Sequence, residues 1–135
     1  MKLMIYLNFD GQCKDAMNFY QKSLGGELAI QLFKDSPMVI TDSHKEQVLH
    51  STLDIGDQKL MASDTMPGKQ VSVGNNFSIT LDFADVPTLE EAFKKLSAGG
   101  IITMPLEDTF WNARFGMCTD KFGIGWMFNH DYPQE

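Results

Sequence analysis

Along "VLHSTLDIG", residues 48–56, apolar and polar side chains alternate. Leu49, Leu53 and Ile55 fall on one face and His50, Thr52 and Asp54 on the other, which predicts a half-buried strand. The same period of two runs through residues 2–9, where Ile5, Leu7 and Phe9 alternate with Met4, Tyr6 and Asn8. It returns at 76–83, where Ile79, Leu81 and Phe83 alternate with Ser78, Thr80 and Asp82. Further strands are predicted over 27–34, 47–55, 58–63, 101–105, 110–119 and 124–130. Two stretches change to a helical period. Cys13, Ala16, Met17, Tyr20 and Leu24 make one apolar stripe, and Leu89, Ala92, Phe93 and Leu96 make another. Pro87 followed by Thr88 and Glu91 reads as a capping box at the start of the second helix. A double glycine closes each helix, Gly25-Gly26 and Gly99-Gly100.

These elements repeat. "LNFDGQCKDAMNFYQKSLGGEL" from Leu7 and "LDFADVPTLEEAFKKLSAGGII" from Leu81 align at a constant offset, matching Leu7 with Leu81, Phe9 with Phe83 and Phe19 with Phe93. The order is βαβββ twice, within a single domain over 1–135 built of repeats 1–66 and 74–132. "IGDQ" and "DKFG" read as tight turns, "DTMPGKQVSVGNN" as the linker between units, and "KDSPMVITDSHKE" as a flap covering 35–46. One helix per four strands covers only one sheet face. The expected fold is therefore α+β, a curled mixed sheet around a cup with the helices on its outer face. The face left open would carry Tyr, Asn, His, Thr and Asp, a composition suited to a cleft.

Composition narrows the function classes. The 135 residues are 43% apolar, enough for one real core. A formal net charge of −7 without any Lys/Arg run argues against nucleic acid and against an anionic membrane surface. No apolar run approaches the ~20 residues of a bilayer span. "MKLMIYLNF" alternates directly into a strand and has no small-residue cleavage site, so a cytoplasmic protein is expected. Cys13 and Cys118 have no zinc spacing and read as two buried free thiols.

Six residues are candidates for ligand contact: Tyr6, Asn8, His50, Trp111, Arg114 and Trp126. An imidazole suits either a polar wall or a general base, which makes His50 the best catalytic candidate and the wall the preferred role. It has Asp64 or Arg114 as conceivable partners across the cup. In "EDTFWNARFGMCTD", Trp111 and Phe115 share a parity and would make an aromatic wall. Arg114 needs an anion, either Asp64, Asp82 or Asp120 or a ligand carboxylate. Asp120 reads first as turn chemistry, and a buried Trp126 needs an acceptor for its indole N–H.

"NFYQKSLGGEL" and "TDKFGIGWMFN", within paired βαβββ units, resemble the glyoxalase/bleomycin-resistance proteins, or vicinal oxygen chelate superfamily. "YLNFDGQCKDAMNFY", "VLHSTLDIGDQKLMASD" and "LEDTFWNARFGMCTDKFGIGWMF" look like its PhnB-like branch, and the likeness spans nearly the whole chain. Some PhnB-like proteins carry a demethylubiquinone-methyltransferase label, yet no glycine-rich strand-to-helix turn is present here to hold S-adenosylmethionine. The resemblance implies metal-ligand positions at Met4 or Ile5, Met61 or Ala62, near Ser78, and at Met127. None carries an imidazole or carboxylate, so no metal and no other cofactor is expected. The reading is a metal-independent small-molecule pocket in a homodimer. The alternatives are a divalent-metal-dependent lyase, isomerase or dioxygenase, built on His50 with Asp64 or Asp82, and a protein that sequesters an antibiotic, as bleomycin-resistance proteins do.

Overall fold

Two compact units, Met1–Ser72 and Val73–Glu135, each lay one helix on one four-stranded mixed sheet. The structure, a computed structural model, describes residues 1–38 and 40–134. The first unit runs β1 (Ile5–Phe9), α1 (Cys13–Leu24), β2 (Glu27–Leu32), a 3-10 turn (Phe33–Asp35), β3 (Val48–Ile55) and β4 (Gln58–Asp64). The second runs β5 (Ile79–Asp82), α2 (Val86–Ser97), β6 (Ile101–Asp108), β7 (Ala113–Thr119) and β8 (Gly125–Asp131). Strand orders are β1-β4-β3-β2 and β5-β8-β7-β6, with the first pair in each parallel and the others antiparallel. The repeat read from the sequence is thus a repeat of topology. Among the described residues, no helix is long and apolar enough to cross a membrane.

The helical stripes become the cores. Cys13, Ala16, Met17 and Tyr20 are buried against the first sheet together with Leu7, Phe9 and Leu53. Leu89, Ala92, Phe93 and Leu96 do the same in the second unit, where Phe93 meets Phe128 edge-on at 5.1 Å. Each double glycine has a steric cause beyond ending a helix. A Cβ on Gly26 would come within 2.4 Å of the Asp54 carbonyl oxygen, and one on Gly100 within 2.2 Å of the Thr119 carbonyl oxygen. Only glycine lets the chain pass so close to the neighbouring strand.

Several boundaries differ from the sequence reading. Helix α2 begins at Val86, and its cap is Asp85, whose Oδ1 accepts the Thr88 N–H at 2.8 Å; the Thr88–Glu91 capping box does not form. Pro87 sits inside the first turn, where its missing donor costs nothing. Strand β6 continues past Pro105 to Asp108, because it is an edge strand with two register shifts and needs no donor at that position. The strand expected over 110–119 starts only at Ala113. Residues 109–112 are a turn, closed by the Thr109 N–H donating to the Ala113 carbonyl (2.8 Å) and by Asn112 at φ +64°. Asn tolerates that left-handed conformation better than most side chains.

The flap expected over 35–46 has its ends pinned. The Phe33 and Lys34 N–H groups donate to the Gln47 and Lys45 carbonyls, both at 3.0 Å, and Phe33 is buried. Val39 of that segment lies outside the described residues.

Candidate functional site

Strand β3 is not a plain alternation. Its partner register passes from Gln31↔His50 to Leu32↔Val48, which leaves Leu49 as an extra residue in a β-bulge. Val48 and His50 share a parity, yet Val48 is wholly buried while His50 is partly open. Val48, rather than Leu49, is therefore the fully buried residue at this end of the strand, because the bulge reverses the facing. Asp64 holds the bulge in place. It is buried, and its Oδ2 accepts the Val48 N–H at 2.9 Å while Oδ1 accepts those of Gly11 (2.8 Å) and Cys13 (3.1 Å). The expected pairing of Asp64 with His50 or Arg114 is corrected: its oxygens are engaged with the backbone at the β1–α1 turn and the β3 bulge.

Beyond the bulge, His50 meets Tyr6. The Tyr6 hydroxyl and His50 Nδ1 lie 3.0 Å apart, and the two rings stack at 5.7 Å with 21° between their planes. Tyr6 is on β1 and His50 on β3, so the tyrosine reaches over the intervening β4, a span of roughly 9.5 Å at normal strand spacing. Tyr6 pairs with Met61 in the strand register, and Met61 in turn with Thr52. Asn8, one position along β1 from the buried Leu7 and Phe9, is exposed. Tyr6, Asn8 and His50 thus occupy the side of the first sheet that α1 leaves open.

The other three candidates belong to the second unit and divide between its two sides. Arg114 pairs with Glu90 of α2 (Nη2–Oε1, 3.3 Å) and with Asp108 (Nη1–Oδ1, 3.6 Å). The expected internal ion pair exists, but with these partners rather than Asp64, Asp82 or Asp120, because Arg114 leans towards the helix. Trp126 is buried, and its indole N–H donates to Asp120 Oδ2 at 2.7 Å. Asp120 Oδ1 also accepts the Phe122 and Ile124 N–H groups at 2.8 and 3.1 Å, so the turn role and the acceptor that a buried indole requires meet in one carboxylate. Arg114 and Trp126 are therefore placed with the helix-covered core, and Trp111 is placed elsewhere.

Trp111 stands half-exposed in the β6–β7 turn, edge-on to Phe110 (4.9 Å, 89°) and to Phe115 (5.9 Å, 66°). The three rings border an open cleft of about 270 Å³ together with Met104, Pro105, Glu107, Asp108 and Thr109. The turn is tied down from below: the Tyr132 N–H donates to the Asn112 carbonyl at 3.0 Å, and the Tyr132 hydroxyl donates to Asp108 at 2.5 Å. That bond to Asp108 is the main cause pushing the Tyr132 phenol above its ordinary value of 10.0. The aromatic wall expected of Trp111 and Phe115 borders this cleft, but the turn that forms it is hidden in the sequence, because "TFWN" without glycine or proline looks like strand. Asn112 was the one residue there that could have signalled a turn.

The positions that the superfamily resemblance marks for a metal do not suit one. Met61 borders Tyr6, and Met127 accepts a weak hydrogen bond from the Thr80 hydroxyl at 3.6 Å, so thioethers stand where imidazole or carboxylate would be needed. Among the described residues, no group of three or more His, Cys, Asp or Glu side chains comes together in a way that could hold a metal ion. Cys13 and Cys118 are free, and burial pushes each thiol from 9.0 up to about 12, which keeps both protonated and unreactive near neutrality.

Comparison with known proteins places this arrangement. The family model described as 3-demethylubiquinone-9 3-methyltransferase matches residues 1–128. Protein YjdN of Escherichia coli strain K12 is 36% identical over 140 residues, covering 96% of this chain and 95% of the relative. Protein PA1353 of Pseudomonas aeruginosa, in its crystal structure, superposes with a TM-score of 0.90 at 39% identity, covering 97% of this chain and 98% of that one. The PhnB protein of Bacillus cereus shares the fold at 24% identity and a TM-score of 0.78, over 96% of this chain and 99% of that one. A glyoxalase/bleomycin resistance protein/dioxygenase from Nocardioides does so at 15% identity and 0.61, over 100% of this chain and 87% of that one.

Proposed function

The chain belongs to the PhnB-like 3-demethylubiquinone-9 3-methyltransferase family, and on that premise we propose that it binds a small molecule without a metal. The ligand rests on the open face of the first unit, against Tyr6, Asn8 and His50. The observation that supports this reading is the Tyr6–His50 pair, a stacked and hydrogen-bonded contact held on an exposed sheet face. Its chemistry suits a ligand with acceptor oxygens, such as a carbonyl or carboxylate. With neutral imidazole, the Tyr6 hydroxyl donates to Nδ1, so Nε2–H is left to donate outward. With imidazolium, Nδ1–H donates to the Tyr6 oxygen, and the hydroxyl hydrogen is released to the ligand. The neutral pair thus keeps one donor for the ligand, and the imidazolium pair keeps two, the hydroxyl and Nε2–H.

Binding is preferred to catalysis, and His50 is the group that would move a proton if chemistry occurs. The methyl transfer in the family's description has no support at the β1–α1 turn. That turn carries one glycine, and the N–H groups of Gly11 and Cys13 are already donated to Asp64. The chain is proposed to act as a homodimer, since symmetric dimers are the commonest oligomers of small soluble proteins.

The test is native mass spectrometry of the purified protein before and after chelator, followed by NMR titration with whatever small molecule co-purifies. The expected result is a metal-free dimer whose ligand shifts resonances around Tyr6 and His50. Tyr6→Phe and His50→Ala should each weaken that ligand about 3- to 10-fold. One tightly held metal per chain, a monomeric mass, or shifts confined to residues away from this face would overturn the corresponding part of the proposal.

A further inference from the structure

We infer that the cleft in the β6–β7 hairpin is a second binding site, one that takes a compact organic monocation of the quaternary ammonium type. The argument is independent of the Tyr6–His50 reading and rests on residues of the second unit alone.

The first ground is aromatic. Phe110, Trp111 and Phe115 border one cleft and meet at steep angles, so they form walls rather than a flat stack. Phe110 is 97% and Trp111 49% exposed. Leaving two large aromatic side chains in water costs stability that burial elsewhere would recover. The turn beneath them is nonetheless built, with Thr109 and Ala113 exchanging bonds and Asn112 held at positive φ against the Tyr132 backbone. Ring systems arranged around a space attract a cation through their negative faces.

The second ground is charge. Glu107 pairs in register with Phe115, so its side chain leaves the strand on the same side as that ring and borders the cleft. No salt bridge engages it among the described residues, whereas Asp108 beside it is bound to Arg114 and Tyr132. Arg114 is shared between Glu90 and Asp108, and His130 stands beside it in the strand register. The local field is therefore negative, within a chain of net charge −7. An anion is repelled there, and a neutral guest gains only apolar contact with Met104 and the rings.

The third ground is size. At about 270 Å³ the cleft is below the ~300–1,000 Å³ usual for drug-sized ligands, so it fits a trimethylammonium group or a short amine rather than a large molecule.

The chain carries its own control, because Trp126 is buried in the core while Trp111 borders the cleft. The experiment titrates the ¹⁵N-labelled full chain with choline and, separately, with its uncharged isostere 3,3-dimethyl-1-butanol, and follows both indole N–H signals. Choline should shift the Trp111 signal saturably and leave Trp126 in place. The alcohol should bind about fivefold or more weakly. Glu107→Gln, an exposed and conservative change, should weaken choline about two- to fivefold with the Trp126 signal unmoved, and Trp111→Leu should remove the binding measured through neighbouring resonances. Equal binding of choline and the alcohol, an unmoved Trp111 signal, or undiminished affinity in Glu107→Gln would overturn the inference. His50→Ala should leave choline binding unchanged, so failure here and failure of the Tyr6–His50 reading are read from different residues.

Discussion

Replacing Asp64 should cost more stability than any change on the open face, because one buried carboxylate accepts three backbone N–H groups. In Asp64→Ala the Gly11 N–H can turn to water, since that residue is exposed, but those of Cys13 and Val48 are buried. Two orphaned buried donors at ~1–3 kcal/mol each give a loss of roughly 2–6 kcal/mol. Against a total stability on the order of 5–15 kcal/mol, that loss is large enough to unfold a marginal domain. Asp64→Asn keeps Oδ1 for Gly11 and Cys13 but presents an NH₂ group to the Val48 N–H. It should therefore lose one bond, about 1–3 kcal/mol. The functional link is the bulge: with Val48 released, the facing of His50 is no longer enforced, and the Tyr6–His50 contact should weaken. Urea unfolding followed by circular dichroism measures the stability, and NMR of the His50 ring measures the contact. Ser63→Ala, one residue earlier on β4, is the control and should stay within about 0.5 kcal/mol of wild type. The reasoning is refuted if Asp64→Ala falls within 1 kcal/mol of wild type by this measure, or if Asp64→Asn and Asp64→Ala are equally destabilised.

Gly100→Ala should destabilise by roughly 1–3 kcal/mol, because its Cβ would lie 2.2 Å from the Thr119 carbonyl oxygen and the strand must move. Gly25→Ala meets nothing near its Cβ, but φ +80° with ψ −165° is a backbone region that essentially only glycine occupies, so strain alone should cost roughly 1–3 kcal/mol; denaturant midpoints measure both. The cysteines predict a pH dependence. Each thiol is raised from 9.0 to about 12 in the folded chain, so the unfolded chain loses its thiol protons first as pH rises. Their contribution is fully present below pH 9 and is progressively lost between 9 and about 12. At pH 8 neither Cys13 nor Cys118 should react with a thiol reagent until urea unfolds the protein; rapid labelling of the native chain would refute the burial of both.

The two units were legible because they rest on local periodicity. Cys13 to Tyr20 and Leu89 to Leu96 recur at helical spacing, the strands alternate, and the double glycines stand at the same place in each repeat. The misreadings share a physical cause, which is that a bulge or an aromatic turn leaves the composition of a strand unchanged. "VLHSTLDIG" alternates on paper, yet Leu49 is an extra residue, and that reverses Val48. "EDTFWNARF" looks continuous, yet it folds at Asn112. Arg114 called for an anion, but several carboxylates were equally eligible in the sequence, and only the packing of α2 chose Glu90.

The sequence by itself determined the βαβββ repeat, the helix-facing stripes, the acidic balance, and the thioethers at positions where its family resemblance calls for metal ligands. These follow from side-chain chemistry and from spacing within an element. Tertiary structure alone decided that Tyr6 reaches His50 over an intervening strand, that Asp64 serves the backbone, and that Trp111 borders a cleft while Trp126 lies in the core. Each of these depends on register between strands or on a single inserted residue. The free energies that select them are contacts between segments far apart in the chain, and no local pattern records those.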